Sequence, residues 1–174
     1  MKKLTILAAF CLMATTAKAQ SLQTDRLVYS WNNMKSMVVG SAKAMPEEHY
    51  AYAPVETVSA FGQLMKHFST SNRFFITKIS GGDLGSVGQK NKNTLENLST
   101  KAQIVADLEA SFDYVISTLK AMPAFDEKID MFGQALTRTE ALMMMEHHLH
   151  REQGKAITYL RMKGVKPVKS SSWL

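Results

Sequence analysis

The sequence predicts an all-α protein, folded as an up-down bundle of four helices. Four stretches of the chain repeat apolar residues at intervals of three and four, which is the spacing of one face of a helix. A glycine or a proline follows each stretch and marks its end. No alternating apolar and polar run is long enough to argue for a sheet. Four helices of roughly 20 residues match a four-helix bundle, a fold that often holds metal ions in its interior.

The first 19 residues have the layout of a secretory signal peptide. Lys2 and Lys3 precede an apolar run from Leu4 to about Thr15, and the small-residue pattern Ala17-Lys18-Ala19 precedes Gln20. A membrane anchor is the weaker alternative, because this run is shorter than the roughly 20 residues that span a bilayer. We therefore expect an exported protein, periplasmic or secreted, with no stable membrane anchor after cleavage and a mature chain that begins at Gln20.

Composition limits the chemistry of the mature chain, residues 20–174, which we expect to form a single domain. The one cysteine, Cys11, lies within the predicted signal peptide. Any metal must therefore be held by histidine, carboxylate and water. Removing the three lysines of the signal peptide lowers the formal net charge from +6 to +3, and no basic run remains. Nucleic-acid binding is therefore not expected.

The first two predicted helices are joined by a connector that carries two tyrosines. The first helix runs from about Thr24 to Ala44 and ends at Pro46. Its apolar face consists of Leu27, Trp31, Met34, Val38 and Ser41. The connector, Glu47–Pro54, leads to a second helix from about Val55 to Ile79, which Gly81 and Gly82 stop. The apolar arc of the second helix consists of Ala60, Leu64, Phe68, Phe74 and Phe75.

The third and fourth helices follow a polar, glycine-rich loop that we expect up to about Asn97. Ser99 and Thr100 are N-cap candidates for the third helix, which ends before Pro123. Its apolar face consists of Ile104, Leu108, Phe112, Val115 and Leu119. An irregular link through Phe132 and Gly133 leads to the fourth helix, from about Thr137 to Lys163, which Gly164 and Pro167 close. The basic, serine-rich tail from about residue 166 is expected to be loosely held.

The fourth helix carries a cluster of metal-binding residue types. At about 100° per residue, Glu152 falls within the apolar arc and His148, one turn earlier, at its edge. His147 and His150 lie on roughly the opposite side, toward solvent. A carboxylate in an apolar interior costs several kcal/mol unless a cation, a proton or a metal neutralises it. We therefore expect His148 and Glu152 to be two ligands of one metal ion.

A third ligand should come from a facing helix, and His67 on the second helix meets that need. Gln63, Thr70 and Ser71 flank it on the inward side. Two histidines and one carboxylate leave coordination positions for water or substrate, as a catalytic divalent ion requires. Zinc or nickel fits these ligands best, and iron and manganese remain open. The alternatives are a structural polar cluster and, at i, i+3 spacing, a metal site on His147 and His150.

Four segments of the sequence resemble the DinB-like, or damage-inducible, family of helical bundles. They are Met45–Pro54, Phe61–His67, Ala110–Val115 and Thr158–Pro167. The resemblance spans nearly the whole mature chain. It implies an up-down bundle with a triad of histidines, one on the second helix and two on the fourth in the pattern HxxxHRGQ.

The family's metal triad is altered in this chain. Aligning the family pattern without a gap through Tyr159-Leu160-Arg161 places His67, His148 and Glu152 on the three ligand positions. Gly154 matches the glycine of the motif, whereas Gln153 and Lys155 replace its arginine and glutamine. An offset alignment on His150-Arg151 restores a histidine at the third ligand position but misplaces the glycine and the Tyr-Leu-Arg segment. The gapless alignment agrees with the helical rotation that turns Glu152 inward.

The resemblance implies a metal-dependent activity on a small molecule. Characterised members are mostly transferases or isomerases that use a divalent ion to activate a low-molecular-weight thiol. We expect an exported metal-dependent transferase or hydrolase, with Tyr50, Tyr52 and Gln63 lining the mouth of the site. The alternative is a non-catalytic module of the cell envelope that binds a metal or a ligand. The expected partner is a small molecule, and the sequence leaves a homodimer open.

Overall fold

The computed structural model describes the backbone of residues 2–168 and the side chains of residues 20–168. Its helices are α1 (Lys2–Ala44), α2 (Phe61–Ser80), α3 (Leu84–Asn97), α4 (Lys101–Ala121) and α5 (Arg138–Met162). Two short strands, β1 (Lys128–Met131) and β2 (Gln134–Thr137), form an antiparallel hairpin. The expectation of an all-α class is confirmed. The side chains of the predicted signal peptide, and residues 169–174 of the predicted tail, lie outside the described residues.

Helix boundaries follow the expected capping residues most closely at α4 and α5. The Thr100 side chain accepts a hydrogen bond from the backbone N–H of Gln103, and the Gln103 side chain accepts from the Thr100 N–H in return. Thr137 and Glu140 form the same reciprocal capping box at the start of α5. Gly81, with φ of 79°, ends α2 in the left-handed conformation that glycine adopts without strain.

The first two helices differ from their predicted starts. Helix α1 begins at Lys2 instead of near Thr24 and so continues through the predicted signal peptide. Helix α2 begins at Phe61 instead of Val55. The backbone N–H groups of Phe61 and Gly62 donate to the carbonyls of Tyr52 and Tyr50, at 2.9 and 2.8 Å. These bonds fold the connector back on the start of α2, so the residues between are not helical.

Helix α3 replaces the polar loop that the sequence predicts, and that prediction was wrong. Asp83 caps the helix by accepting from the backbone N–H groups of Gly85 and Ser86, at 2.8 and 3.3 Å. Thr94 is buried on its inner side and accepts from Arg73 of α2 at 3.0 Å. The helix is therefore held by a cap and by polar contacts, which apolar periodicity does not register.

The predicted irregular link before α5 contains a hairpin, so the expectation that no sheet forms was wrong. The register pairs Lys128 with Thr137 and Met131 with Gln134. Phe132 and Gly133 form the two-residue turn, both with positive φ, at 59° and 84°. Strands of four residues are too short to produce a convincing alternating pattern in the sequence.

Hydrogen bonds between the four long helices establish their relative directions. Helices α1 and α5 run parallel, because residue numbers rise together along both helices in their contacts. These contacts are Gln23–Thr139, Ser30–Glu146 and Met37–Gln153. Helix α4 runs antiparallel to α1, with contacts that include Lys35–Asp113 and Lys101–Met45. The histidine pair His67–His148 and the bond from Arg138 to Ile79 show that α2 runs antiparallel to α5.

The strictly alternating up-down order is therefore not confirmed. Helices α2 and α4 are consecutive long helices that run in the same direction, as Asn72–Ser111 and Thr77–Tyr114 show. A parallel neighbour requires a connection that returns along the bundle. Residues 81–100, which contain α3, make that crossover, and α3 packs against α2.

The core lies between α1, α2, α4 and α5. Its largest fully buried side chains include Trp31, Phe61, Phe68 and Phe112, and the Trp31 and Phe112 ring centroids are 6.3 Å apart. Phe74 and Phe75, predicted to lie in the apolar arc of α2, are only partly buried and pack on Phe132 of the hairpin turn. Among the residues described, no helix has both the length and the hydropathy that crossing a membrane requires.

Candidate metal centre

Two antiparallel helices bring the three predicted ligands together. His67 lies in the first half of α2, and His148 and Glu152 lie one turn apart on α5. One ligand atom from each side chain lies within 4.8 Å of the other two. The Nε2 atoms of the two histidines are 3.1 Å apart. The structure therefore assembles the set that rotation and alignment both indicate.

The donor atoms fit a divalent ion. Bonds of about 2.0–2.2 Å from a tetrahedral metal to nitrogen and oxygen place its ligand atoms roughly 3.5 Å from one another. The three ligand atoms lie within 4.8 Å of one another, which is close to that spacing. Two imidazoles and one carboxylate are typical zinc ligands and also suit nickel, iron and manganese. The three residues form a group that could hold a divalent metal.

The three side chains differ in their exposure to solvent. Glu152 is 3% exposed, His148 is partly buried and His67 is exposed. The group therefore lies at the mouth of the crevice between α2 and α5, with Glu152 as its most buried member. His67, His148 and Glu152 line a cavity of about 530 Å³. The other lining residues are Thr57, Val58, Ser59, Leu64, Arg151, Lys155 and Tyr159.

Two basic side chains neutralise the buried carboxylate. Lys155 Nζ donates to both oxygens of Glu152, each at 2.8 Å, and Arg151 Nε donates to Oε1 at 3.3 Å. Burial raises the pKa of the Glu152 carboxyl, but the bonds and charge of Lys155 and the Arg151 bond outweigh burial and hold the net pKa below 4.5. Glu152 is therefore ionised at neutral pH.

His148 is held from several sides. Arg151 Nη2 lies 3.0 Å from its Nδ1, and Ser71 Oγ lies 3.3 Å from its Nε2. The Phe75 ring packs against the imidazole with ring centroids 5.6 Å apart. Burial, followed by the neighbouring His67, lowers the pKa of His148 below 6.5. His148 is therefore neutral at pH 7, which is the form that binds metal.

The alternative histidines lie outside this group. His147 and His150 are both exposed on α5, and His150 Nε2 lies 3.9 Å from Glu146 Oε1. Neither belongs to a cluster of three potential ligands among the described residues. The rotation that places them toward solvent agrees with the structure.

The predicted mouth residues do not line the cavity. Tyr50 is buried, and its hydroxyl donates to the Ala42 carbonyl at 2.7 Å. Tyr52 packs edge-on against Tyr159, with ring centroids 6.2 Å apart, and so stands behind the lining. Gln63 is exposed on α2 outside the lining. The Tyr50 contact explains why the connector tyrosines support the fold instead of the cavity.

The three further lining residues of α5 were not identified from the sequence as site residues. Lys155 and Tyr159 follow Glu152 by three and seven positions and so share its side of α5, and Arg151 reaches the carboxylate from the neighbouring position. The Tyr159 hydroxyl donates to the Ser59 carbonyl at 2.9 Å, which ties α5 to the segment that precedes α2. The same helical rotation that identifies Glu152 could have identified Lys155 and Tyr159.

Known proteins resemble this chain both in sequence and in fold. The uncharacterized protein YjoA of Bacillus subtilis (strain 168) is 25% identical over 146 residues, which cover 82% of this chain and 92% of YjoA. The crystal structure of that DinB-like protein superposes with a TM-score of 0.69 at 21% identity, covering 85% of this chain and 99% of that one.

A second solved structure has the same fold at lower identity. The DinB-like protein from Bacillus cereus ATCC 10987 superposes with a TM-score of 0.70 at 12% identity, covering 82% of this chain and 94% of that one. The model of the DinB family matches residues 13–171, which is nearly the whole sequence. This chain therefore belongs to the DinB family.

Proposed function

We propose that the protein binds one divalent metal ion through His67, His148 and Glu152 and acts on a small molecule in the adjoining cavity. The observation that carries this proposal is the convergence of three ligand atoms within 4.8 Å at the wall of a 530 Å³ cavity. Three protein ligands leave an open position that faces the cavity. A divalent ion supplies a polarising charge and lowers the pKa of a bound water or thiol.

The chain's own residues would orient the small molecule in this cavity. Lys155 and Arg151 place positive charge at its wall, with side chains 52% and 68% exposed. The Tyr159 ring forms part of the wall, with its hydroxyl engaged by Ser59. Leu64 and Val58 add apolar surface. This combination suits a small polar or charged substrate of a transferase or a hydrolase.

A non-catalytic role is the second candidate, and a specific contact favours it. The pair of bonds from Lys155 balances the Glu152 charge with groups from the chain itself. The site is therefore electrostatically satisfied by protein groups, as a structural or ligand-binding cluster would be. Assays on metal-loaded protein separate the two roles.

Export is part of the proposal and rests on the sequence pattern of residues 1–19. The proposed mature protein begins at Gln20, forms one domain and is periplasmic or secreted. Intact-mass measurement of the protein recovered from the producing cells tests this directly. A mass that retains the first 19 residues would contradict cleavage.

The metal proposal is tested with protein purified without a histidine tag. Bound metal is measured by inductively coupled plasma mass spectrometry after the protein has been supplied separately with zinc, nickel, iron and manganese. We expect close to one ion per chain in the wild type and a large loss in His67→Ala and Glu152→Ala. His150→Ala is the matched control and should retain the ion. A wild type that retains no metal would refute the proposal.

The enzymatic part is tested with panels of hydrolase and thiol-transfer substrates on the metal-loaded protein. Activity through the proposed site should disappear in His148→Ala and persist in His150→Ala. An activity that survives His148→Ala and Glu152→Ala unchanged arises elsewhere. Full metal loading without turnover on any panel supports the non-catalytic role.

A further inference from the structure

Two basic side chains contact the same atoms that the proposed metal ion would use. Lys155 Nζ engages both oxygens of Glu152, each at 2.8 Å. Arg151 reaches Glu152 Oε1 through Nε at 3.3 Å and His148 Nδ1 through Nη2 at 3.0 Å. The carboxylate ligand is thus fully engaged by cations, and one of the imidazole ligands is engaged at its far nitrogen.

These contacts compete with a bound metal ion. A divalent ion on the Glu152 carboxylate would lie within a few ångströms of the Lys155 ammonium, and like charges at that distance repel strongly. A guanidinium only donates hydrogen bonds, so His148 Nδ1 accepts and a neutral His148 carries its proton on Nε2. That nitrogen faces His67 at 3.1 Å and must be unprotonated to share a metal with it.

Both basic side chains have room to leave. Lys155 is 52% exposed and Arg151 is 68% exposed, and both line the 530 Å³ cavity. Withdrawing them from Glu152 and His148 therefore opens no void in the core. Among the described residues that line this cavity, Glu152 is the only acid. Once a metal has taken its carboxylate, the cavity wall carries an excess of positive charge.

We propose that metal binding expels Lys155 and Arg151 from Glu152 and His148, and that the released side chains bind the oxyanion group of a small-molecule ligand, a carboxylate or a phosphate. The inference rests on the proposed metal site and goes beyond it by naming the ligand class. The metal and the anion then bind cooperatively, because the ion frees the groups that hold the anion. Lys155 is the main participant, since it alone contacts both carboxylate oxygens.

The exchange predicts that removing Lys155 strengthens metal binding. The Lys155→Gln variant deletes the competing cation, and its zinc or nickel dissociation constant should be about tenfold lower than that of the wild type. Arg161→Gln is the matched control, because Arg161 is exposed on the same helix and outside the cavity lining. It loses the same charge and should bind metal within about twofold of the wild type. An unchanged or weaker dissociation constant in Lys155→Gln would overturn the exchange.

Thermal unfolding supplies an independent measurement, in which Lys155→Gln should destabilise the metal-free protein although it strengthens metal binding. In chelator-treated protein, Lys155→Gln leaves the buried Glu152 carboxylate with less neutralising charge, and its melting temperature should fall by about 3 °C. Saturating metal should remove that difference, because the ion replaces the ammonium. A variant that is equally destabilised with and without metal would show that Lys155 is only structural.

The anion is tested with two probes, acetate and inorganic phosphate, by calorimetry on protein with nickel bound. The wild type should bind at least one of them several-fold more tightly with metal than without it, and the preferred probe distinguishes a carboxylate ligand from a phosphate. Lys155→Gln should bind that anion at least fivefold more weakly even though it holds the metal more tightly. Equal anion binding in the two proteins would mean that the ion alone binds the anion, against the proposal.

The outcomes separate this inference from the proposed function. If the wild type binds metal and Lys155→Gln binds it no more tightly, the metal site stands and the exchange is wrong. If only Lys155→Gln binds metal, the ion does not displace Lys155 in the wild type, so the proposed wild-type site and the exchange are both refuted. If neither protein binds metal, both the site and the exchange are refuted.

Discussion

His67 and His148, 81 positions apart in the chain, approach to 3.1 Å between their Nε2 atoms across the antiparallel helices α2 and α5. Glu152 lies one turn beyond His148, with a ligand atom within 4.8 Å of both imidazoles. The pairing of these two helices creates the candidate site, so any change that shifts α2 against α5 changes the spacing of the ligand atoms.

Metal affinity should depend on pH through His148. Burial and the neighbouring His67 lower the pKa of this imidazole below 6.5, so it is neutral at pH 7 and above. Proton competition begins only as the pH falls through the lowered pKa. We expect zinc affinity to vary little with His148 protonation between pH 7 and 8, and to fall by about tenfold per pH unit once the pH lies below the lowered pKa of His148. Competition titrations from pH 5 to 8 on the wild type and on His148→Ala measure this, and identical pH profiles in the two proteins would exclude His148 as a ligand.

Arg73 should be one of the most sensitive positions for folding. It is 2% exposed and pairs with Asp107 of α4, and it also donates to Thr94 and Asn91 of α3. Substituting Arg73→Ala leaves the largely buried Asp107 carboxylate without its cation, and we expect a loss of about 3 kcal/mol in the free energy of unfolding. Urea denaturation measures the loss.

A matched control for Arg73→Ala is Lys43→Ala. Lys43 of α1 pairs with Glu109, which lies on α4 like Asp107, but the Lys43 side chain is 58% exposed. Its removal should cost less than about 1 kcal/mol. Equal losses in the two variants would show that the buried network does not hold α3 in place.

The capping box of α5 should contribute measurably to stability. Thr137→Ala removes the acceptor for the Glu140 backbone N–H and a donor to the Glu140 carboxylate, at a cost of about 1 kcal/mol. The bonds from Thr137 hold the pKa of Glu140 below 4.5. The contribution of this carboxylate is therefore complete above pH 4.5 and is lost as the pH falls through its lowered value.

The Thr137→Ala penalty should accordingly shrink in acid. Thermal melts at pH 7 and near pH 3 compare the variant with the wild type. Thr158→Ala, an exposed substitution within the same helix whose hydroxyl bonds only the Gly154 carbonyl, serves as the control and should be neutral or slightly stabilising. A Thr137→Ala penalty no larger than that of the control would refute the cap's contribution.

Apolar periodicity predicts the four long helices because burial decides their positions. Trp31, Phe68 and Phe112 lie on the predicted faces and are fully or almost fully buried. Apolar periodicity does not predict helix α3, because Asp83 caps this helix and Arg73 holds it through polar bonds. The direction of α4 was also not predicted, because the apolar face of a helix does not indicate in which direction the chain runs. The crossover through α3, which was not predicted, makes α2 and α4 parallel.

The candidate site was predictable as far as helical rotation reaches. Rotation places Glu152 inward, and it is 3% exposed. Rotation does not show how a long side chain bends, so the bonds from Lys155 to Glu152 were invisible before the structure was known. The tyrosines of the connector were misplaced for a related reason: the bond from Tyr50 to Ala42 depends on how the connector folds back.

A calorimetric zinc titration of His148→Ala against His147→Ala tests the proposed metal centre. These neighbouring histidines differ in direction, since His148 faces His67 and His147 is exposed. We predict that His148→Ala weakens zinc binding by at least a hundredfold, whereas His147→Ala binds like the wild type. Equal affinities in the two variants, or a loss confined to His147→Ala, would contradict a metal centre built from His67, His148 and Glu152.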